Sequence, residues 1–179
     1  MVLCLTERLI IRTYEESDAD SIVRIVNNEG IYRTTYAIPR DYSKKRAKWW
    51  IKYLRSTAKN KTGFEYGMFL RSNGEYVGNM GIINISSAHN RGDITYFVNP
   101  DLWGMGFATE GGRVMLRLAF ENMKLKRLGG CCMSCNGASR RVMEKLDFRY
   151  EGTARSELLK DGFYYDIDRL AMLDEDYFS

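Results

Sequence analysis

Gly104 and Gly106 stand two apart in the stretch Trp103-Gly104-Met105-Gly106-Phe107-Ala108-Thr109-Glu110. A short apolar run with strand character, Asp93-Ile94-Thr95-Tyr96-Phe97-Val98, precedes them, and residues 107–121 read as a helix. Glycines at that junction leave backbone N–H groups free of side-chain cover. The first turn of a helix adds unsatisfied donors and the positive end of its dipole. The chemistry on offer is binding of a phosphate or pyrophosphate; the same spacing also serves a plain tight turn. Two nucleotide motifs fit poorly. A P-loop ends in Gly-Lys-Ser/Thr, which is missing, and a dinucleotide fingerprint needs a third glycine where Thr109 stands.

Other chemistry-bearing residues are sparse. Asn136 is a good N-cap for a helix running to Asp147. Cys131, Cys132 and Cys135 crowd one segment, with Cys4 apart, which is no spaced disulfide framework. A metal site lacks ligands, because the only histidine, His89, lies in a distant polar loop, so no metal is expected. Buried or half-buried thiols on a strand, in a reducing cytoplasm, are the expectation. His89 has a pKa suited to proton transfer, but a loop histidine is usually solvated. Lys44, Lys45, Lys48, Lys52 and Arg55 share one side of a helix. Such a run reads as a solvated face, or as a wall receiving an acidic substrate.

Trp-Gly-x-Gly-x-Ala-Thr-Glu resembles the acetyl-CoA pyrophosphate loop of the GCN5-related N-acetyltransferases, and most of all their RimJ/RimL-like branch. Further matches follow in order: Thr6-Glu7-Arg8-Leu9-Ile10-Ile11-Arg12 resembles the opening strand, and Tyr76-Val77-Gly78 through Ile82 the third. Asn136-Gly137-Ala138-Ser139 is similar to the branch's Asn-x-x-Ser helix start, and Glu144-Lys145-Leu146-Asp147-Phe148 to its Glu-Lys-Leu-Gly-Phe segment. Glu151-Gly152, then Asp161-Gly162 with Asp166, resemble its closing hairpin.

The resemblance implies acetyl-CoA as donor and a primary amine as acceptor: a peptide or protein N-terminus, or a small amine such as a polyamine or an antibiotic. It implies that backbone groups of Phe97 and Val98 bond the pantetheine, one N–H facing the thioester carbonyl. Gly104, Met105, Gly106, Ala108 and Thr109 would hold the pyrophosphate, and Asn136 the pantetheine. Ser139 would hydrogen-bond or protonate the leaving thiolate. Asp93, where the branch often has Glu, would accept the amine's proton directly or through water. Tyr96 and Trp103 are expected to pack, and Glu110 to favour the helix dipole. Two departures stand out. Asp101 replaces a Gln or Arg common before the loop, and Asp147 replaces a glycine at a position needing left-handed backbone. The resemblance leaves room for a homodimer. A non-catalytic acyl-CoA-binding protein and a nucleotide-binding oxidoreductase are the competing readings; the missing third glycine argues against the latter.

The elements that must position these residues follow from pattern. With 179 residues, one domain spanning 1–179 and a substantial core are expected. A net charge of +4 suits an anionic cofactor and is too small to indicate nucleic acid. No apolar run reaches membrane-spanning length. Residues 5–13 read as a strand, with Ser17 and Asp18 as N-cap candidates for a helix through Ile22, Ile25 and Val26. Ser43 caps a helix whose Ala47, Trp50, Ile51 and Leu54 form one apolar stripe. Strands are expected at 64–71, 76–85, 93–98, 127–135, from 148 to 158 and at 163–173. Ser72-Asn73-Gly74-Glu75 is a hairpin signal, because Asn-Gly tolerates positive φ at both turn positions. The whole is an α/β fold: one mixed, mainly antiparallel central sheet flanked by helices. The resemblance implies that its strands at Val98 and the Cys-rich run splay apart to hold the cofactor.

Overall fold

A computed structural model describes residues 1–179. Its strands are β1 (Val2–Leu5), β2 (Leu9–Arg12), β3 (Phe64–Leu70), β4 (Tyr76–Ser86), β5 (Arg91–Val98), β6 (Arg127–Met133), β7 (Arg149–Lys160) and β8 (Phe163–Leu173). The helices are α1 (Ala19–Val26), α2 (Glu29–Thr34), α3 (Lys44–Lys59), α4 (Phe107–Arg117), α5 (Gly137–Lys145) and α6 (Asp174–Tyr177). All eight strands form one sheet in the order β1-β2-β3-β4-β5-β6-β8-β7. Neighbours are antiparallel except β5 and β6, which are parallel and joined through α4. No helix is long and apolar enough to cross a membrane.

Strand alternation divides the core between the sheet's two faces. On one face Met68, Met80, Ile82 and Ile94 pack with Val114 and Met115 of α4 and Met143 of α5. On the other, Tyr14, Phe69 and Tyr76 pack with Ile22 and Ile25 of α1 and Ala47, Ile51 and Leu54 of α3. The apolar spacing seen in α1 and α3 is therefore the stripe that buries against the sheet. Each fully buried Ile or Leu contributes about 1.5–3 kcal/mol. α4 approaches closely because Gly111 and Gly112 lack side chains: a Cβ on Gly112 would lie 2.4 Å from a methyl carbon of Leu146.

The expected sheet and helices are present, with several local corrections. The strand expected over 5–13 is two strands, turned at Thr6-Glu7-Arg8. Side chains take up the backbone donors there: Leu9 N–H donates to Thr6 Oγ1 (2.9 Å) and Arg8 N–H to Glu110 Oε1 (3.0 Å). Asp18 does not cap α1 with its side chain; its carboxylate accepts two 2.8 Å bonds from the Arg12 guanidinium instead. Ser43 does cap α3, accepting from Arg46 N–H at 3.2 Å. In the β3–β4 turn only Gly74 has positive φ (75°), because Asn73 Oδ1 closes the turn by accepting from Glu75 N–H. The helix expected to reach residue 121 ends as α-helix at Arg117 and continues as one π turn, Leu118–Asn122. β6 stops at Met133, where Asn136 N–H turns back onto the Met133 carbonyl (2.7 Å). Asp147 holds the left-handed conformation required of it, at φ 63°.

Candidate active site

Pairing between β5 and β6 covers only Arg91↔Arg127, Gly92↔Leu128 and Asp93↔Gly129. Beyond Asp93 the strands part. Ile94–Val98 keep β4 on one side, and Gly130–Met133 keep β8 on the other. The gap opens a cleft of about 860 Å³. β5 therefore carries a backbone edge with no strand partner in the cleft wall, where Phe97 and Val98 were expected to bond the pantetheine. The Val98 carbonyl already accepts the Trp103 indole N–H at 2.7 Å, so Trp103 packs and ties the following loop back to the strand.

The glycine loop adopts the geometry that its composition suggests. Gly104 and Gly106 have φ of 78° and 83°, in the left-handed region that glycine enters freely. Nothing lies within 4 Å of the place where a Gly104 Cβ would stand, so the loop's backbone is bare. Gly106 is the N-cap of α4, with Ala108 and Thr109 in its first turn on the cleft. Met105 turns its side chain outward, while its carbonyl accepts from Arg8 Nη1 at 2.8 Å. Arg8 also bonds Glu110 (Nε to Oε2, 2.7 Å) and lies over the Phe107 ring. Glu110 is thus more than a dipole partner: it bolts the loop to the β1–β2 turn. Burial works against its charge, but bonds from Thr6 and Arg8 outweigh burial and lower its pKa. Two cations the sequence reading passed over, Arg141 and Lys145 of α5, line the same cleft. These residues fit a phosphate-bearing cofactor.

Asn136 and Ser139 open α5 on the other wall. Asn136 Oδ1 accepts the Ser139 N–H (3.1 Å) and its Nδ2 donates to the Thr34 carbonyl (3.1 Å). Asn136 is therefore both helix cap and tether to α2, with one amide hydrogen left for a ligand. Ser139 Oγ lies 2.8 Å from the Tyr96 hydroxyl, which also donates to the Ser139 carbonyl (3.0 Å). Tyr96, expected only to pack, is so brought into the site. Burial raises its pKa, so the phenol stays protonated and able to donate. The Cys132 thiol also faces Ser139, and burial pushes its pKa up to about 11. It stays a neutral thiol near pH 7, unsuited as a nucleophile. Cys131 is exposed, 3.4 Å from the Tyr36 hydroxyl.

Asp93 marks the point where the splay begins. Its Oδ2 accepts from Asn84 Nδ2 (3.0 Å), and a Cβ on Gly129 would sit 2.5 Å from its Oδ1. The bare Gly129 thus makes room for the carboxylate. Alternation puts Asp93, Thr95 and Phe97 on the α1–α3 face, and Ile94, Tyr96 and Val98 on the α4 face. Asp93 and the Tyr96–Ser139 pair line one cleft from opposite faces of the sheet.

The α1–α3 lobe of the cleft holds a second carboxylate, which the sequence did not reveal. Glu65 of β3 accepts from Asn79 Nδ2 of β4 at 2.7 Å, and burial raises its pKa. No sequence motif marks either residue; only the register of β3 against β4 joins them. None of Lys44, Lys45, Lys48, Lys52 and Arg55 lines the cleft, and α3 presents Arg46, Trp49 and Trp50 to it instead. The basic run is a solvated face. His89 is exposed in the β4–β5 turn, outside the cleft.

Comparison with known proteins matches this arrangement. The family model described as acetyltransferase (GNAT) domain matches residues 8–149. The uncharacterized N-acetyltransferase YoaA of Bacillus subtilis is 29% identical over 163 residues, 91% of this chain and 92% of the relative. Spermidine N(1)-acetyltransferase of Escherichia coli is 20% identical over 169 residues, 94% of this chain and 88% of the relative. The solved structure of RimL, a ribosomal L7/L12 alpha-N-protein acetyltransferase in complex with coenzyme A, is 17% identical. It superposes with a TM-score of 0.86 over 98% of this chain and 99% of that one. The splayed sheet, bare glycine loop and family match agree: this chain belongs to the GNAT acetyltransferases and is an N-acetyltransferase that uses acetyl-CoA.

Proposed function

We propose that this enzyme transfers the acetyl group directly to a primary amine that enters through the α1–α3 lobe, with no acyl-enzyme stage. The acceptor classes are the α-amine of a peptide or protein N-terminus and a small amine; the names of the relatives divide between them. One observation carries the reading. A carboxylate, Asp93, and a protonated hydroxyl pair, Tyr96 and Ser139, line one cleft from opposite faces of the sheet.

When bound, acetyl-CoA supplies an activated thioester. The loop donors of Gly104, Met105, Gly106, Ala108 and Thr109, with Arg141 and Lys145, hold the phosphates. Phe97, Val98 and Asn136 orient the arm in the splay, which brings the reacting groups together. A backbone N–H on the free edge of β5 would donate to the carbonyl oxygen, where negative charge develops. Asp93 Oδ1 takes the proton that the attacking amine must lose, directly or through water. Tyr96 donates to the Ser139 carbonyl and holds its oxygen beside Ser139 Oγ, so the Ser139 hydroxyl can turn its hydrogen from the phenol oxygen to the departing sulfur. A neutral Cys132 supports direct attack over thiol relay. Free cysteines, two of them exposed, favour a reducing cytoplasm as the compartment.

The test is release of CoA from acetyl-CoA across a panel of peptides with different N-terminal residues, polyamines and aminoglycosides, against a no-acceptor control. Acceptor-dependent release from one class is the expected outcome. Tight acetyl-CoA binding with no release from any amine favours a non-catalytic binding protein.

A further inference from the structure

Glu65 is a half-buried, desolvated carboxylate that lacks a counter-ion. None of the molecule's ion pairs includes it, and the Asn79 amide is its one hydrogen-bond partner, at Oε2. Oε1 accepts no bond from the protein, yet it is not a sealed, orphaned atom, so it meets the cleft that Glu65 lines. The floor beneath it is cleared by glycine. A Cβ on Gly81 would lie 2.5 Å from Glu65 Cγ, so the side chain lies across β4 towards β5. The titratable neighbours are uncharged: Tyr14, beyond β2, and Tyr76 of β4 bond each other at 2.8 Å, and Tyr42 precedes α3. Arg12 is spent on Asp18 and stacked over Phe69. Arg46 and Trp49 stand at the exposed end of the lobe.

A carboxylate desolvated without a cation is costly to a fold, and a hydrophobic or amide side chain there would cost less. A ligand that brings the missing charge explains why it is tolerated. The geometry points to Glu65 as the counter-ion for a second cationic group of the acceptor, so that the enzyme takes slender amines carrying an additional ammonium. The inference rests on the amine-acetyltransferase reading above and names its substrate class. Register places Glu65 opposite Gly81, and Gly81 opposite Thr95. Two strand spacings separate the Glu65 and Thr95 backbones by roughly 9.5 Å. With the side chain leaning over Gly81, a reacting nitrogen beside β5 and a second nitrogen on Glu65 would lie about 5–8 Å apart, within the span of a short aliphatic diamine. The aromatic faces of Trp50 and Phe97, which line the same lobe, suit such a cation. Glu65 is a specificity residue in this scheme; Asp93 keeps the proton transfer.

Initial rates of acetyl transfer would be compared for straight-chain diamines and monoamines of matched length, in the wild-type enzyme and Glu65→Gln. Peptides beginning with lysine or norleucine form a second arm, which tells whether the second ammonium belongs to a small molecule or a side chain. The wild type is expected to favour the dicationic member of a pair by about tenfold or more in kcat/KM, chiefly through KM. Glu65→Gln abolishes that preference, leaves monoamine rates within about twofold and melts no lower than wild type at pH 7. A preference that survives in Glu65→Gln overturns the assignment, as does its absence from a wild type that acetylates monoamines. If no amine is acetylated, the transferase reading fails separately. Calorimetric titration of a diamine into the CoA-bound protein then decides the subsite. Heat with wild type and none with Glu65→Gln upholds it; none with either overturns it.

Discussion

Tyr96 and Ser139 lie 43 positions apart in the chain and share a 2.8 Å hydroxyl contact. Burial keeps the phenol protonated, its hydrogen donated to the Ser139 carbonyl, and the Ser139 hydroxyl keeps its own hydrogen to turn towards a ligand. Removing the Ser139 hydroxyl should act on turnover rather than on cofactor binding, because Asn136 caps α5 through the Ser139 backbone and not its side chain. Ser139→Ala is expected to lower kcat by about a hundredfold. Its acetyl-CoA affinity, read by calorimetry, should stay within about twofold of wild type if the cap alone sets the cofactor arm. Unchanged turnover would remove Ser139 from the chemistry or show that thiol release is not rate-limiting.

At the scale of the element, the glycine loop is held at both ends. Trp103 fastens it to β5, and Arg8 with Glu110 fastens it to the β1–β2 turn. Between these anchors Gly106 sits at φ 83° and opens α4. A Cβ there meets only Arg8 Nη2, at 3.5 Å, so crowding by the protein is not the obstacle. The obstacle is the backbone, since a β-branched residue loses roughly 1–2 kcal/mol in left-handed geometry and covers the donors besides. Gly106→Val should weaken acetyl-CoA binding by tenfold or more, with Gly106→Ala between, on the order of the same strain energy. A Kd equal to wild type in Gly106→Val would sink the assignment of this loop to the pyrophosphate.

The whole molecule carries these anchors as charges that respond to acid. Bonds from Thr153 and Ser134, with Arg140, lower the pKa of Asp168; those from Thr6 and Arg8 lower that of Glu110 against burial. A carboxylate with a lowered native pKa stabilises the fold above the ordinary carboxylate range, and that contribution is lost as pH falls through the native value. Glu65 has the opposite sign: its raised pKa means a penalty that grows as pH rises from the ordinary range to the native value and stays in full above it. Melting temperature should therefore fall steeply below about pH 4. From there to pH 7, Glu65→Gln should gain on wild type. A difference between the two proteins that does not change with pH would contradict the desolvated, unpaired state of Glu65.

The sequence by itself determined the family, the main order of strands and helices, the bare glycine loop and the Asn136 cap. Each is written in local spacing: apolar residues every three or four positions, alternation by two, glycines at a strand-to-helix turn. It also marked Ser139 and Asp93 through resemblance. Tertiary structure alone decided what those residues meet. Arg8 reaches Met105 across 97 positions and Asn136 reaches Thr34 across 102, contacts with no local signature. Tyr96 looked like packing because a tyrosine on a strand usually packs; the turn at Met133 and the start of α5 set a hydroxyl beside it. Glu65 looked like one more strand carboxylate. Its burial and its bond to Asn79 arise only when β3 and β4 align and α1 and α3 cover their face, because desolvation and register belong to the assembled sheet and not to any strand alone.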